Sequence, residues 1–155
     1  MKKTIELIKT VLSNGMKGLV KYIYIGDPLL IPNSCLPALI INPLRTETSK
    51  ADNARDKHNH SIQIALVIDA KQYLGATPDK MIGSDFLMST MGGEDSAGAL
   101  DVKTILSLVR KNLNLGTNRI ILEGMTVDYT ARKRTDDFIT LEAVATIQVT
   151  QIITR

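Results

Sequence analysis

The chain of 155 residues has one cysteine, two histidines and no tryptophan, and only 4% of it is aromatic. A lone Cys35 excludes an internal disulfide and any zinc centre built on several cysteines. Scarce aromatics mean that the core must be assembled from Ile, Leu, Val, Ala and Met. Burying each large aliphatic contributes roughly 1.5–3 kcal/mol. Long apolar runs are missing as well, with no stretch near the roughly 18 residues needed to span a bilayer. An excess of one charge is also lacking. Nineteen basic residues stand against sixteen acidic ones, a net charge of +3. Non-specific nucleic-acid binding draws its affinity from a dense Lys/Arg stripe, and this surface is mixed. The start Met1-Lys2-Lys3 looks like the opening of a secretion signal, but Glu6, Lys9, Asn14 and Lys17 interrupt the apolar segment that should follow. The chain therefore reads as cytoplasmic, or as assembled in a cytoplasm.

What remains is ordinary for a folded protein: 44% hydrophobic, 23% charged, and a length that fits one domain. Ile5, Ile8 and Leu12 at helical spacing, with Leu7 and Val11 beside them, predict an N-terminal amphipathic helix. Asn14-Gly15 reads as its stop through the left-handed conformation that both residues tolerate. Tyr22–Ile25 has strand composition and Gly26-Asp27-Pro28 ends it. In Leu36–Pro43, Pro37 fits a strand start. Residues 44–60 are polar without a hydrophobic period, and read as a mobile loop or as an arm that orders against a neighbour.

Ser61–Asp69 is a second strand, with Ile62, Ile64, Leu66 and Ile68 on one face and Ala65 and Val67 suggesting cover on the other. The glycine-dotted segment 70–98 reads as a long loop anchored by Phe86, Leu87, Met88 and Met91. A second helix runs from about Leu100 to Leu113 and stops at Gly116. Ile121, Met125, Val127 and Tyr129 alternate, although Glu123 interrupts the face. Ile139, Leu141, Ala143, Ala145, Ile147 and Val149 then hold period two over a long final strand. The phase shift at Ile152 predicts a bulge or free end, and residues 131–137 mark a hairpin tip. The fold class is α+β: an antiparallel or mixed sheet flanked by two main helices, with a long C-terminal hairpin and an extended polar loop.

No catalytic constellation emerges. His58-Asn59-His60 has the spacing of a metal pair but no scaffold, so it reads as a solvated loop. Gly92-Gly93-Glu94-Asp95 lacks the ending of a P-loop, and its carboxylates repel phosphate. Ser34-Cys35 lacks a placed base. Arg132-Lys133-Arg134 is followed at once by Asp136 and Asp137, within a Debye length, and has no aromatic platform for bases. It reads as a solvated tip or as an ionic contact to another subunit. Catalytic, cofactor-binding and metal residues are accordingly none, and the chain is not read as an enzyme.

Four passages resemble a known family. They are the helix from Thr4; Tyr24-Ile25-Gly26-Asp27-Pro28 leading to Leu36–Pro43; the helix Ile105–Leu113 followed by Leu115-Gly116; and the hairpin from Val127-Asp128-Tyr129 through Arg132-Lys133-Arg134 to the final strand. Their order resembles the tail terminator proteins of long-tailed bacteriophages, with the related tail-completion and neck proteins. The resemblance implies a virion protein forming a homo-hexameric ring that ends the tail tube and meets the head–tail connector or stopper. Genomic DNA would pass its lumen without sequence specificity, and neither cofactor nor membrane is involved. A ring needs a heterologous interface. Candidate contacts are Arg45, Lys50, Arg55 and Lys57 in the polar segment, Arg132, Lys133, Arg134, Asp136 and Asp137 at the hairpin tip, and a strand edge from Gln151 to Arg155. Reversing the three basic tip charges is expected to weaken assembly and leave the fold intact. The alternatives are a head–tail adaptor or stopper, a tail-tube subunit, or, in another class, a small nucleic-acid-binding module.

Overall fold

A computed structural model describes residues 1–28, 30–73, 82–92, 103–113, 120–135 and 138–154. The elements run α1 (Lys2–Gly15), β1 (Tyr22–Ile25), a 3-10 turn (Asn33–Cys35), β2 (Ala38–Lys50), β3 (Arg55–Asp69), α2 (Ala70–Tyr73), α3 (Ile82–Gly92), α4 (Ile105–Leu113), β4 (Ile120–Thr135) and β5 (Phe138–Thr154). This is the α+β class expected, on a mixed sheet of order β1-β2-β3-β5-β4. Only β1 and β2 pair in parallel; the other neighbours are antiparallel.

Helices cover one face. Ile5, Ile8 and Leu12 of α1 and Ile105, Leu106, Val109 and Leu113 of α4 bury the stripe predicted for each. They join Leu39 and Ile41 of β2, the four even-numbered aliphatics of β3 from Ile62 to Ile68, and Ala143, Ala145, Ile147 and Val149 of β5. On the opposite face, Ala38, Ile40, Ala65 and Val67 meet Ile31 and Leu36 from the segment after β1. Both sides of β3 are thus covered, which its two-sided hydrophobicity indicated. Pro37 stands immediately before β2, where its missing donor removes no ladder bond.

Several expectations are corrected. Residues 44–60 are not a loop: they form the far half of the β2–β3 hairpin, turning at 51–54. The hairpin is further paired to β5, from Arg55↔Thr154 inwards. It lacks a hydrophobic period because residues 44–50 are exposed on both faces, while the ladder to β3 holds the backbone groups that face it. Within the expected loop 70–98, α2 and α3 are helical. Leu87 and Met91 are buried, Phe86 packs on the core, and Met88 faces out. Gly83, Ser84, Ser89 and Thr90 had masked the helical period of α3. Residues 74–81 and 93–102, which include Gly93–Gly98 and the expected start of the second helix, and Gly116 lie outside the described residues.

β5 has no bulge at Ile152, since its register against β3 is unbroken to Thr154. Irregularities sit instead in β4, between Leu122 and Gly124 and between Lys133 and Thr135. The first puts Leu122, not Ile121, on the core face with Met125 and Val127, and leaves Ile121 53% exposed. At the other end of β5, Leu141 is half-buried and Ile139 exposed, because the core stops short of the hairpin tip. Gly15 is not left-handed; among the described residues only Gly18 and Gly26 have positive φ. A Cβ on Gly15 would collide with the Leu108 side chain of α4, so close helix packing, not a cap, calls for glycine there.

Candidate functional site

The segment after β1 crosses the open face of the sheet and is tied down at β4, the opposite edge. Gly26, at φ 83°, turns the chain, and Asp27 follows. Asp27 Oδ2 accepts from Arg132 Nη1 at 2.9 Å and Asp27 Oδ1 from Arg134 Nη1 at 3.1 Å. Arg134 Nη1 also donates to the Pro28 carbonyl at 3.0 Å. Beneath this strap, Arg134 Nε and Nη2 donate to Glu142 Oε1 at 3.0 and 2.7 Å, and the Thr140 hydroxyl donates to the same oxygen at 2.7 Å. The Arg134 and Glu142 side chains are 2% and 4% exposed. Residues 132, 140 and 142 share this face because Arg132 and Thr130 lie opposite Thr140 and Glu142 in the β4–β5 register. Partial burial raises the Asp27 pKa, but the hydrogen bonds and charges of Arg132 and Arg134 outweigh it and hold the carboxyl below its usual value. Against the strap lies a cavity of about 150 Å³ lined by Ile40, Asn42, Gln63, Ala65, Thr130 and Val144 with the four charged residues.

Arg134 is therefore not part of a solvated tip. Its buried, ion-paired position overturns the expectation that reversing all three basic charges would spare the fold: a carboxylate at 134 would face Glu142 and Asp27 out of water. Arg132 is half-exposed and engaged by Asp27, and Lys133 is exposed on the opposite face. Asp136, Asp137 and Arg155 lie outside the described residues. Neither a family model nor a curated protein sequence matches the chain.

The other predicted contacts occupy the β2–β3 arm. Arg45 pairs with Glu47 at 2.6 Å, Arg55 with Asp52 across the turn at 2.5 Å, and Lys57 approaches Glu123 of β4 at 3.7 Å. Lys50 stands opposite Asp56 in the ladder. A concavity of about 400 Å³ on this arm is lined by Leu44, Arg45, Glu47, Asn59, Ser61 and Gln148. Gln151 is no edge residue, because it sits between His58 of β3 and Ile120 of β4.

His58 and His60 lie in β3, not in a solvated loop, with ring centroids 6.0 Å apart. His60 is fully buried. Its Nε2 accepts from the Met1 ammonium at 3.1 Å, which leaves Nδ1 as donor to Thr46 Oγ1 at 3.1 Å. Burial first, then the ammonium and His58, lower its pKa, against a hydrogen bond to Gln151 that raises it. Among the described residues, no group of three or more His, Cys, Asp or Glu is placed to hold a metal ion, and no helix is long and apolar enough to cross a membrane. Cys35 is half-buried. Asp27, Thr140 and Glu142 were missed by sequence reasoning. Their only signals were a carboxylate between the turn residues Gly26 and Pro28, and Val144 breaking the polar face of β5.

Proposed function

We propose that this chain is a structural virion protein of a long-tailed bacteriophage. It would form a ring that terminates the tail tube and joins it to the head connector. The single observation that supports this most is the arm. From Arg45 to Lys50 the strand β2 runs out beyond its hydrophobic cover, with exposed side chains, a continuous ladder to β3 on one side and, among the described residues, an open edge on the other. Ordered strand without core beneath adds no burial energy to the subunit, so its use lies in what it touches. The element order of helix, strand pair, helix and long hairpin supports the same assignment by resemblance.

In this reading the partners are further copies of the chain in a homo-hexamer, the tail tube protein, and the connector or stopper. DNA traverses the lumen without base readout, and no cofactor takes part. The nucleic-acid-module reading loses its best residues, since the Arg132 and Arg134 guanidinia are engaged by Asp27 and Glu142. Electron microscopy of the purified protein mixed with tail tubes tests the proposal. Rings capping tubes of defined length are expected. Unlimited polymerisation into tubes, or tube ends left bare, would refute termination.

A further inference from the structure

Among the described residues β1 and β4 end the sheet, and the two edges differ in kind. Beside β1, Leu19, Tyr22 and Ile25 are 48%, 54% and 50% exposed. A groove of about 260 Å³ between the end of α1 and β1 has Leu12, Met16, Val20 and Ile23 in its lining, with Lys9, Lys17 and Lys21 and no carboxylate. Along β4, Ile121 and Tyr129 are 53% and 50% exposed, and Leu122, Met125 and Val127 are only half-buried at the rim of the core. From Ile120 to Ala131 the only charges are Glu123 and Asp128.

Open strand edges in monomeric proteins carry lysine, proline or bulges against pairing. The part of β2 that runs past β1 has all three kinds of device: Pro43, an irregularity between Pro43 and Arg45, and Lys50. Gly124–Ala131 of β4 has none, and its register is continuous. This edge is built to be paired.

Charge selects the occupant. Two β4 edges together would oppose carboxylates on one face, and two β1 edges would oppose lysines, whereas β4 against β1 opposes neither, because Asp128 lies beside Val144 on the strap face and the lysines line the helix-side groove. Strand direction agrees. β1 runs with β2, β2 and β5 are both antiparallel to β3, and β4 is antiparallel to β5. A neighbouring copy that keeps its helices on the same side therefore presents β4 antiparallel to β1, the better-bonded ladder.

We infer that the β4 edge of one copy, Gly124–Ala131, docks antiparallel beside Tyr22–Ile25 of a second copy, head to tail. Val20, Ile23 and Ile25 then cover Met125, Val127 and Tyr129. The chained registers Tyr22↔Ala38↔Val67↔Glu142↔Thr130 put Tyr22 level with the neighbour's Thr130 when the copies are not staggered. The inference rests on the ring reading only for the number of copies that close the circle.

The test uses full-length chains in a Cys35→Ser background, one carrying Tyr22→Cys and the other Thr130→Cys. Paired strands bring Cα atoms within disulfide reach. Mixed under oxidation, the two are expected to form a cross-linked heterodimer that neither forms alone, and the doubly substituted chain a ladder of oligomers. Tyr129→Lys, which puts a charge on an exposed edge position that the neighbour's Ile23 would cover, is expected to weaken sedimentable self-association about tenfold. Equal cross-linking by either single variant alone overturns the head-to-tail pairing. So does an oligomer without the heterodimer, or a chain that stays monomeric at its solubility limit. Tube ends still capped in that case leave the terminator reading standing on another interface. Cross-linked chains that cap no tube overturn the terminator reading alone.

Discussion

Exchanging Arg134 for methionine removes one charge from a pair that the fold has taken out of water. Three donors converge on Glu142 Oε1, two of them from Arg134. In Arg134→Met only the Thr140 hydroxyl remains, beside a carboxylate that is 4% exposed. Breaking a buried pair from one side costs about 3–5 kcal/mol. Losing the Asp27 contact adds little, because that carboxylate is 35% exposed and water screens it. Against a total stability of about 5–15 kcal/mol, the variant loses a large fraction and still folds over most of that range.

Urea denaturation followed by circular dichroism reads the effect. With a slope of about 2 kcal/mol per molar urea, the midpoint falls by about 1.5–2.5 M. The decisive comparison is Arg134→Met/Glu142→Leu. Replacing both members of a buried pair by apolar groups is commonly neutral or better, so the double variant is expected within about 1 kcal/mol of the parent. A single variant that loses less than about 1 kcal/mol, or a double variant no more stable than the single, refutes the coupled buried pair.

Asp27→Asn tests the outer half of the clamp by pH. The Asp27 pKa is lowered in the fold, so its stabilisation is present above the unfolded value of about 3.9 and is lost as pH falls through the folded one. The parent is therefore expected to exceed Asp27→Asn in stability at neutral pH, with the gap closing in acid; a gap independent of pH counts against it. His60, whose pKa is also lowered, takes its proton first in the unfolded chain. Its contribution is complete above about pH 6.5 and declines as pH drops below that. His60→Gln should flatten the stability profile there, and an NMR titration showing an ordinary imidazole would contradict this. The Thr4 hydroxyl is buried without a partner. Thr4→Val is expected to raise stability by about 1 kcal/mol, and a loss in calorimetry would show that the hydroxyl is satisfied.

Periodicity found what one face of an element could reveal. Ile5–Ile8–Leu12 and Ile62–Ile68 were readable because each lines a single core at constant spacing. The arm was not, because strand pairing is a backbone property and residues 44–50 bury nothing to mark it. α3 was hidden by small polar residues within its turns. The clamp was illegible for a topological reason. Glu142 alternates with buried alanines and so reads as solvent-facing. It is buried only because a segment more than a hundred positions away lies across it, with Asp27 meeting Arg134 at 3.1 Å. The basic triplet was visible, but its division into an engaged Arg132, an outward Lys133 and a buried Arg134 follows from strand parity and the strap together.

That division also bears on how copies would join. Asp27 belongs to the strap that leaves β1, while Arg132 and Arg134 belong to β4, so the clamp ties the two outer strands of one sheet to each other. Among the described residues, Ile31 and Leu36 with the partly buried Cys35 hold the strap by packing against Ala38, Ile40, Ala65 and Val67; the ion pairs add to this. If the neighbour's β4 adds at β1, both surfaces used in head-to-tail addition are fixed in one frame. Binding then loses less ordering free energy at each step. Asp27→Asn, which leaves Arg134 on Glu142, is therefore expected to weaken association while the subunit stays folded. Sedimentation of the folded variant decides the matter: unchanged self-association would mean that the clamp serves the subunit alone and that the edges are aligned by other means.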